Sequence, residues 1–208
     1  MTETPPYRIV TERLVVRCYD PRDAPLVKEA VDSSLDELRE WMPWAHDEPK
    51  PLDEKVELMR RFRASFDLGQ EFVYGIFSSD ESEVVGGTGL HGRVGEDAFE
   101  IGYWVRTSRT GNGFATESSA ALTRVAFEVC GVDRVEIRVD PANERSAAIP
   151  VRLGFEPEAV LGRRLPPFGD QREPRDVRVY SVFRSQFPGT PAAEMAVEAY
   201  DATGTRVL

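Results

Sequence analysis

A strand that runs into a glycine-rich loop and directly out into a helix constrains this chain more than any other feature. Ala98 to Val105 (AFEIGYWV) reads as the strand, and Thr107-Ser108-Arg109-Thr110-Gly111-Asn112-Gly113 as the loop. Phe114 to Cys130 is strongly helical, with Gly131 placed to stop it. At such a junction the first N–H groups of the helix have no intrahelical partner. They converge on one spot, the helix dipole adds positive potential there, and glycine lets the backbone approach an anion closely. The implied ligand is a phosphate or pyrophosphate. A P-loop needs Gly-Lys-Ser/Thr, which is absent. A dinucleotide fold needs a third glycine in a βαβ unit near the domain start, whereas antiparallel-looking strands precede this loop. Taken alone, the glycine pair reads equally well as a structural turn.

The remaining pattern is arranged around that junction. The 208 residues fit one domain with short extensions, and a hydrophobic fraction of 41% supplies a core. Arg13 to Tyr19 reads as a strand. Asp20-Pro21-Arg22-Asp23 is a helix start, with Asp20 as cap and Pro21 at the first helical position. A helical pattern continues through Leu26, Val27, Ala30 and Val31, and a second short helix covers Ser34 to Glu40 until Trp41-Met42-Pro43-Trp44 breaks it. Leu52 to Leu68 is a third helix, with Val56, Met59, Phe62 and Phe66 on one face. Glu71 to Ser78 and Glu83 to His91 are strand-like around a turn. After Gly131 come a strand (Arg134 to Val139), a short helical piece ending at Gly154-Phe155, and strands near Phe155 to Leu161 and Val177 to Arg184. Phe187-Pro188-Gly189 closes the main domain, residues 1–187. Residues 188–208 read as a C-terminal extension, a short hairpin that packs on the domain or on a partner in a homodimer.

Several classes of function are excluded. A net charge of −10 lacks the basic face that nucleic acid requires. No run of about 18 apolar residues exists to span a membrane. The stretch Met1 to Tyr7 is polar, lacks the apolar core of a signal peptide, and points to a cytoplasmic chain. Two cysteines, Cys18 and Cys130, and two histidines, His46 and His91, match no metal spacing, so no metal is expected. Both cysteines and His91 read as packing residues. Arg163, Arg164, Arg172 and Arg175 flank a proline-rich solvated loop that at most bounds a substrate entrance.

With the motifs laid side by side, the chain resembles the GCN5-related N-acetyltransferases. Glu100-Ile101-Gly102-Tyr103-Trp104-Val105 followed by Gly111-Asn112-Gly113-Phe114-Ala115-Thr116-Glu117 looks like their acetyl-CoA motif, and Asn143-Glu144-Arg145-Ser146 with Leu153-Gly154-Phe155 like their second motif. Thr11-Glu12-Arg13-Leu14 and the Trp41 to Trp44 segment are similar to the RimJ/RimL-like branch, which modifies serine or alanine N-termini of ribosomal proteins. The resemblance implies a mixed α/β fold whose mostly antiparallel sheet is splayed at Ala98 to Val105. It implies acetyl transfer from acetyl-CoA to an amine by direct attack in a ternary complex. Trp104 and Val105 would lie along the pantetheine arm, with Arg109, Thr110, Gly111, Asn112, Gly113, Phe114 and Ala115 around the pyrophosphate. Two departures stand out. Thr110, with Arg109 beside it, occupies a place where relatives often have Arg or Gln. Pro150 stands where many carry a general-acid tyrosine, so that role is empty or moved.

The chemistry needs a deprotonated amine, stabilisation of the developing oxyanion, and a partner for the departing thiolate. Glu100 is the candidate base, the other reading being a solvent-facing strand glutamate. An N–H near Val105 is the implied oxyanion donor. Ser146 is the candidate contact for sulfur, or else a helix cap. Asn143 hydrogen-bonds the cofactor arm or forms a turn. Trp41, Trp44 and Tyr103 line the acceptor pocket or belong to the core. The acceptor is a protein N-terminus or a small-molecule amine, and the rival is a CoA-binding sensor without useful turnover.

Overall fold

The computed structural model describes residues 4–208, so Met1 to Glu3 of the polar N-terminal stretch lie outside it. The described residues form one sheet with the order β7-β8-β6-β5-β4-β3-β2-β1-β9. Its strands are β1 (Arg8–Val10), β2 (Leu14–Cys18), β3 (Phe72–Ser78), β4 (Val84–His91) and β5 (Ala98–Val105), then β6 (Arg134–Val139), β7 (Glu156–Leu165), β8 (Arg175–Phe183) and β9 (Glu198–Tyr200). Five α-helices flank it: α1 (Ala24–Asp32), α2 (Leu35–Trp41), α3 (Leu52–Asp67), α4 (Phe114–Glu128) and α5 (Glu144–Arg152). None of these helices is long and apolar enough to cross a membrane.

Neighbouring strands are antiparallel except β5 and β6. A parallel pair needs a crossover, and α4 provides it. The pairing is short. Only Ala98, Phe99 and Glu100 face Arg134, Val135 and Glu136, whereas β5 stays paired with β4 from Glu100 to Val105. Past Glu100 the two parallel strands therefore diverge and open a V in the middle of the sheet. The expected splay lies here.

Helix α4 covers one face. Ala120, Ala121, Leu122, Val125 and Ala126 are fully buried in the same cluster as Val16, Ile76, Leu90, Ile101, Val135 and Ile137. Each large apolar side chain buried this way contributes about 1.5–3 kcal/mol. On the other face α1 and α3 cover β2 to β4, with Val27, Val31 and Met59 against Val15, Phe77 and Val84. Glycines on β4 let β5 come close: a Cβ at Gly87 would lie 2.5 Å from Trp104 Nε1.

Three features go beyond the sequence pattern. Strand β1 is too short to show a period, yet it pairs Arg8 to Val10 with Val15 to Arg17. Lys55 is buried on α3, where its Nζ donates to Glu48 Oε1 at 2.5 Å, so a charge sits at a position the apolar pattern leaves blank. Beyond Phe187, Ala192, Val197 and Ala199 are buried in the main core, and β9 pairs with β1. The chain then turns back so that Val207 N–H donates to Ala199 O at 2.8 Å, which covers the outer edge of β9 with the chain's own C-terminal residues.

Candidate active site

The loop between β5 and α4 is held open by its backbone. Gly111 and Gly113 have φ of +79° and +82°, left-handed values that cost an ordinary L-residue about 1–2 kcal/mol. Gly113 is the N-cap of α4 and brings no side-chain cap. The first helical bond, from Glu117 N–H to Gly113 O, is 2.9 Å long, and the N–H groups of Phe114, Ala115 and Thr116 precede it. Those donors and the helix dipole face a site where an anion fits.

Two sets of contacts fix the loop. Toward α1 and α2, Arg106 is a buried guanidinium bonded to Glu29 at 2.6 and 2.8 Å, Thr107 N–H donates to Ser34 Oγ at 3.0 Å, and Thr107 Oγ1 donates to Glu37 at 2.9 Å. Toward β2, Glu117 on the first turn of α4 is 6% exposed and accepts three hydrogen bonds. They come from Thr11 Oγ1 at 2.6 Å, Arg13 N at 3.1 Å and Arg13 Nε at 2.7 Å, with Arg13 Nη2 in ion-pair contact at 2.5 Å. Arg13 Nη1 also donates to Asn112 O at 3.0 Å, and its guanidinium lies 4.7 Å over the Phe114 ring. Sequence reasoning noted Thr11 to Leu14 and Glu117 only as parts of separate motifs. Their juxtaposition, across 104 residues of chain, gives both a physical purpose. The available signal was a glutamate set among small apolar helix residues.

A cleft of about 700 Å³ opens from the splay. Its walls are Tyr103, Trp104 and Val105 of β5, the loop and first turn of α4, Asn143 to Ser146 of α5, and Glu37, Glu40 and Trp41 of α2. Most of the sequence-derived candidates meet there: Trp41, Tyr103, Trp104, Val105, Arg109, Thr110, Gly111, Gly113, Phe114, Ala115, Asn143 and Ser146 all line it. Within the loop the side chains are already engaged. Arg109 pairs with Glu83 at 2.7 Å, Thr110 Oγ1 donates to Thr107 O at 2.9 Å, and Asn112 turns inward to Arg109 O at 3.1 Å. The backbone is left as the anion-binding element.

Glu100 and Trp44 lie outside the cleft lining, whereas Ser146 lines it without capping α5. Glu100 does not line the cleft. It lies at the root of the V, 6% exposed, with its carboxylate held by Arg93 at 2.5 and 3.0 Å and Arg138 3.8 Å away. It is therefore not solvent-facing, and Arg93 holds both of its oxygens. Trp44 packs edge-on against Trp104, ring centroids 5.8 Å apart, behind the cleft wall. Ser146 is not the cap of α5: Asn143 is, accepting from Ser146 N–H at 3.0 Å.

Ser146 instead faces β5. Tyr103 Oη lies 3.1 Å from Ser146 Oγ and 3.1 Å from Ser146 O, bridging the two walls of the V. Burial pushes the Tyr103 hydroxyl up to about 12, the Ser146 contact opposing, so it stays a neutral donor. Beside the cleft a second hollow of about 340 Å³ is lined by Arg39, Glu40, His46 and Phe168 to Gln171, and Glu40 borders both. The His46 ring lies tilted against Phe168, centroids 5.2 Å apart, and its Nε2 lies 3.0 Å from Arg39 O. In the arginine loop, Arg163 pairs with Glu173 and Arg175 with Asp140.

Known proteins resemble this chain in sequence and fold. A protein-family model, the Acetyltransferase (GNAT) domain, matches residues 13–156. The chain is similar to the ribosomal protein uS5-alanine N-acetyltransferase of Escherichia coli strain K12, with 28% identity over 162 residues, 76% of this chain and 82% of the relative. It is similar to the N-acetyltransferase YoaA of Bacillus subtilis strain 168, with 26% identity over 175 residues, 84% of this chain and 95% of the relative. Among solved structures, RimJ of Mycobacterium smegmatis in complex with CoA-disulfide superposes with a TM-score of 0.79 at 25% identity, covering 93% of this chain and 95% of that one.

Proposed function

The chain belongs to the GNAT acetyltransferase family and is an acetyl-CoA-dependent N-acetyltransferase, and from that premise we propose that its acceptor is the α-amine of a protein N-terminus. The observation that carries this reading is Glu40, which borders both the cleft and the second hollow. A peptide lying extended across Arg39, His46 and Phe168 would bring its terminal ammonium to that exposed carboxylate. The relative that acetylates alanine of ribosomal protein uS5 supports the same acceptor class, and a cytoplasmic location goes with this reading.

Acetyl-CoA supplies the activated acetyl group as a thioester. The N–H groups opening α4, unshielded by any cap side chain at Gly113, fit its pyrophosphate. Tyr103, Trp104 and Val105 form the wall along which the arm would run into the V, with the Val105 backbone beside the carbonyl. Glu40 attracts the cationic amine, and water at the open cleft accepts its proton. The amine nitrogen bonds the acetyl carbon while the C–S bond breaks, and the Ser146 hydroxyl meets the sulfur, donating to the developing thiolate.

The test is mass spectrometry on peptides with free alanine or serine N-termini, on the same peptides with blocked N-termini, and on polyamines and aminoglycosides. Gain of one acetyl group only by free-terminus peptides supports the proposal. Acetylation of the small amines alone replaces it with a small-molecule acceptor.

A further inference from the structure

Helix α5 contains a proline, Pro150, in its interior. In a regular helix the N–H of residue 150 would bond the carbonyl of residue 146. Proline has no N–H, and its ring pushes the i−4 carbonyl aside. The carbonyl so released is that of Ser146. It does not stay without a donor, because Tyr103 Oη reaches it from β5 at 3.1 Å. The same hydroxyl is 3.1 Å from Ser146 Oγ. Before the proline Ala147 N–H donates to Asn143 O at 2.9 Å, and past it Phe155 N–H reaches back five residues to Pro150 O at 2.9 Å.

We propose that Tyr103 is a positioning residue for acetyl transfer: it donates to the carbonyl that Pro150 leaves open and so holds Ser146 Oγ toward the splay. A serine in a helix otherwise tends to bond back to the i−3 or i−4 carbonyl, which would turn Oγ away from the cleft. With its proton committed to the Ser146 carbonyl, the phenol oxygen accepts the Ser146 hydroxyl at rest. As the C–S bond breaks, that hydroxyl swings to the thiolate and gives it a proton. The proton lost from nitrogen as the amide forms returns to the serine oxygen through solvent. Pro150 and Tyr103 thus act as one device. The inference rests on Ser146 meeting the sulfur.

The experiment uses the full chain with Tyr103→Phe, Pro150→Ala, Ser146→Ala and the pairwise doubles. Single-turnover acetyl transfer, calorimetric acetyl-CoA affinity and thermal melting are read on the same preparations. Tyr103→Phe keeps the ring and should slow transfer by about tenfold, the worth of one lost orienting hydrogen bond, with affinity unchanged. In the Ser146→Ala background it should slow transfer no further. Pro150→Ala restores an N–H to the Ser146 carbonyl, so it should rescue the melting loss of Tyr103→Phe but not its rate. A purely structural tyrosine would instead have its rate rescued along with its stability, which overturns the positioning role. Equal slowing by Tyr103→Phe with and without Ser146 also overturns it. If Ser146→Ala keeps the parent rate, the assignment of Ser146 itself falls. If Ser146→Ala slows transfer and Tyr103→Phe does not, the positioning role alone falls.

Discussion

Replacing Glu117 by alanine should both destabilise the chain and loosen its hold on acetyl-CoA. The carboxylate accepts from Thr11 Oγ1, Arg13 N and the Arg13 guanidinium, and it is 6% exposed. Without it the part-buried Arg13 N–H loses its acceptor, and the Thr11 hydroxyl keeps only Leu14 O at 3.4 Å. Each such orphan costs about 1–3 kcal/mol. The Arg13 side chain is 45% exposed, so its guanidinium can turn to water and adds little. The sum is about 3 kcal/mol, which lowers the melting temperature of a chain this size by about 6–12 °C. Because the same arginine holds Asn112 O at 3.0 Å, the glycine loop loses one of its two anchors. Acetyl-CoA affinity should then fall about tenfold, or about 1.4 kcal/mol. Glu117→Gln keeps an acceptor oxygen for Thr11 and the Arg13 N–H, and should cost about 1 kcal/mol. Calorimetric titration and thermal melting of both variants provide the check. A Glu117→Ala chain that melts within about 2 °C of the parent and binds acetyl-CoA equally well would refute the clamp.

Gly113→Asp forces a side chain onto a φ of +82° and places a carboxylate beside the pyrophosphate site; acetyl-CoA affinity should drop at least about tenfold, and unchanged binding by a folded variant would remove the loop as the anion site. With Arg93 occupying both Glu100 oxygens, Glu100→Gln should change turnover less than about threefold, and a fall of about 10² or more would establish Glu100 as the general base after all. Burial first, then Arg93, pushes His91 below its ordinary value, with Glu100 and Glu71 opposing. The unfolded chain therefore takes up a proton that the folded one resists, so this stability is present above about pH 6.5 and is lost as pH falls below it. Melts across that window should show His91→Gln with a shallower pH slope than the parent, and an identical slope would discard the histidine as the cause.

Much of the site was legible because its donors are local. From Thr107 to Phe114 the backbone offers free N–H groups at a helix start and two left-handed glycines, and both follow from residue type and spacing within eight positions. The amphipathic faces of α3 and α4 follow from periodicity, as does the core position of Met59 and Phe66. Lys55 and β1 escaped because neither carries a period: one is a buried charge matched by Glu48, the other a three-residue strand held between β2 and β9.

The sequence by itself determined the motif order, the class of fold and the strand–glycine loop–helix junction, since each is written in short-range pattern. Tertiary structure alone decided which side chains reach the V. Pairing between β5 and β6 ends at Glu100, which places that glutamate at the root under Arg93 and sends Tyr103 across to α5. Contacts such as Tyr103 with Ser146 and Arg13 with Glu117 join residues 43 and 104 positions apart. No local propensity encodes them, because their geometry exists only once the strands have been placed side by side.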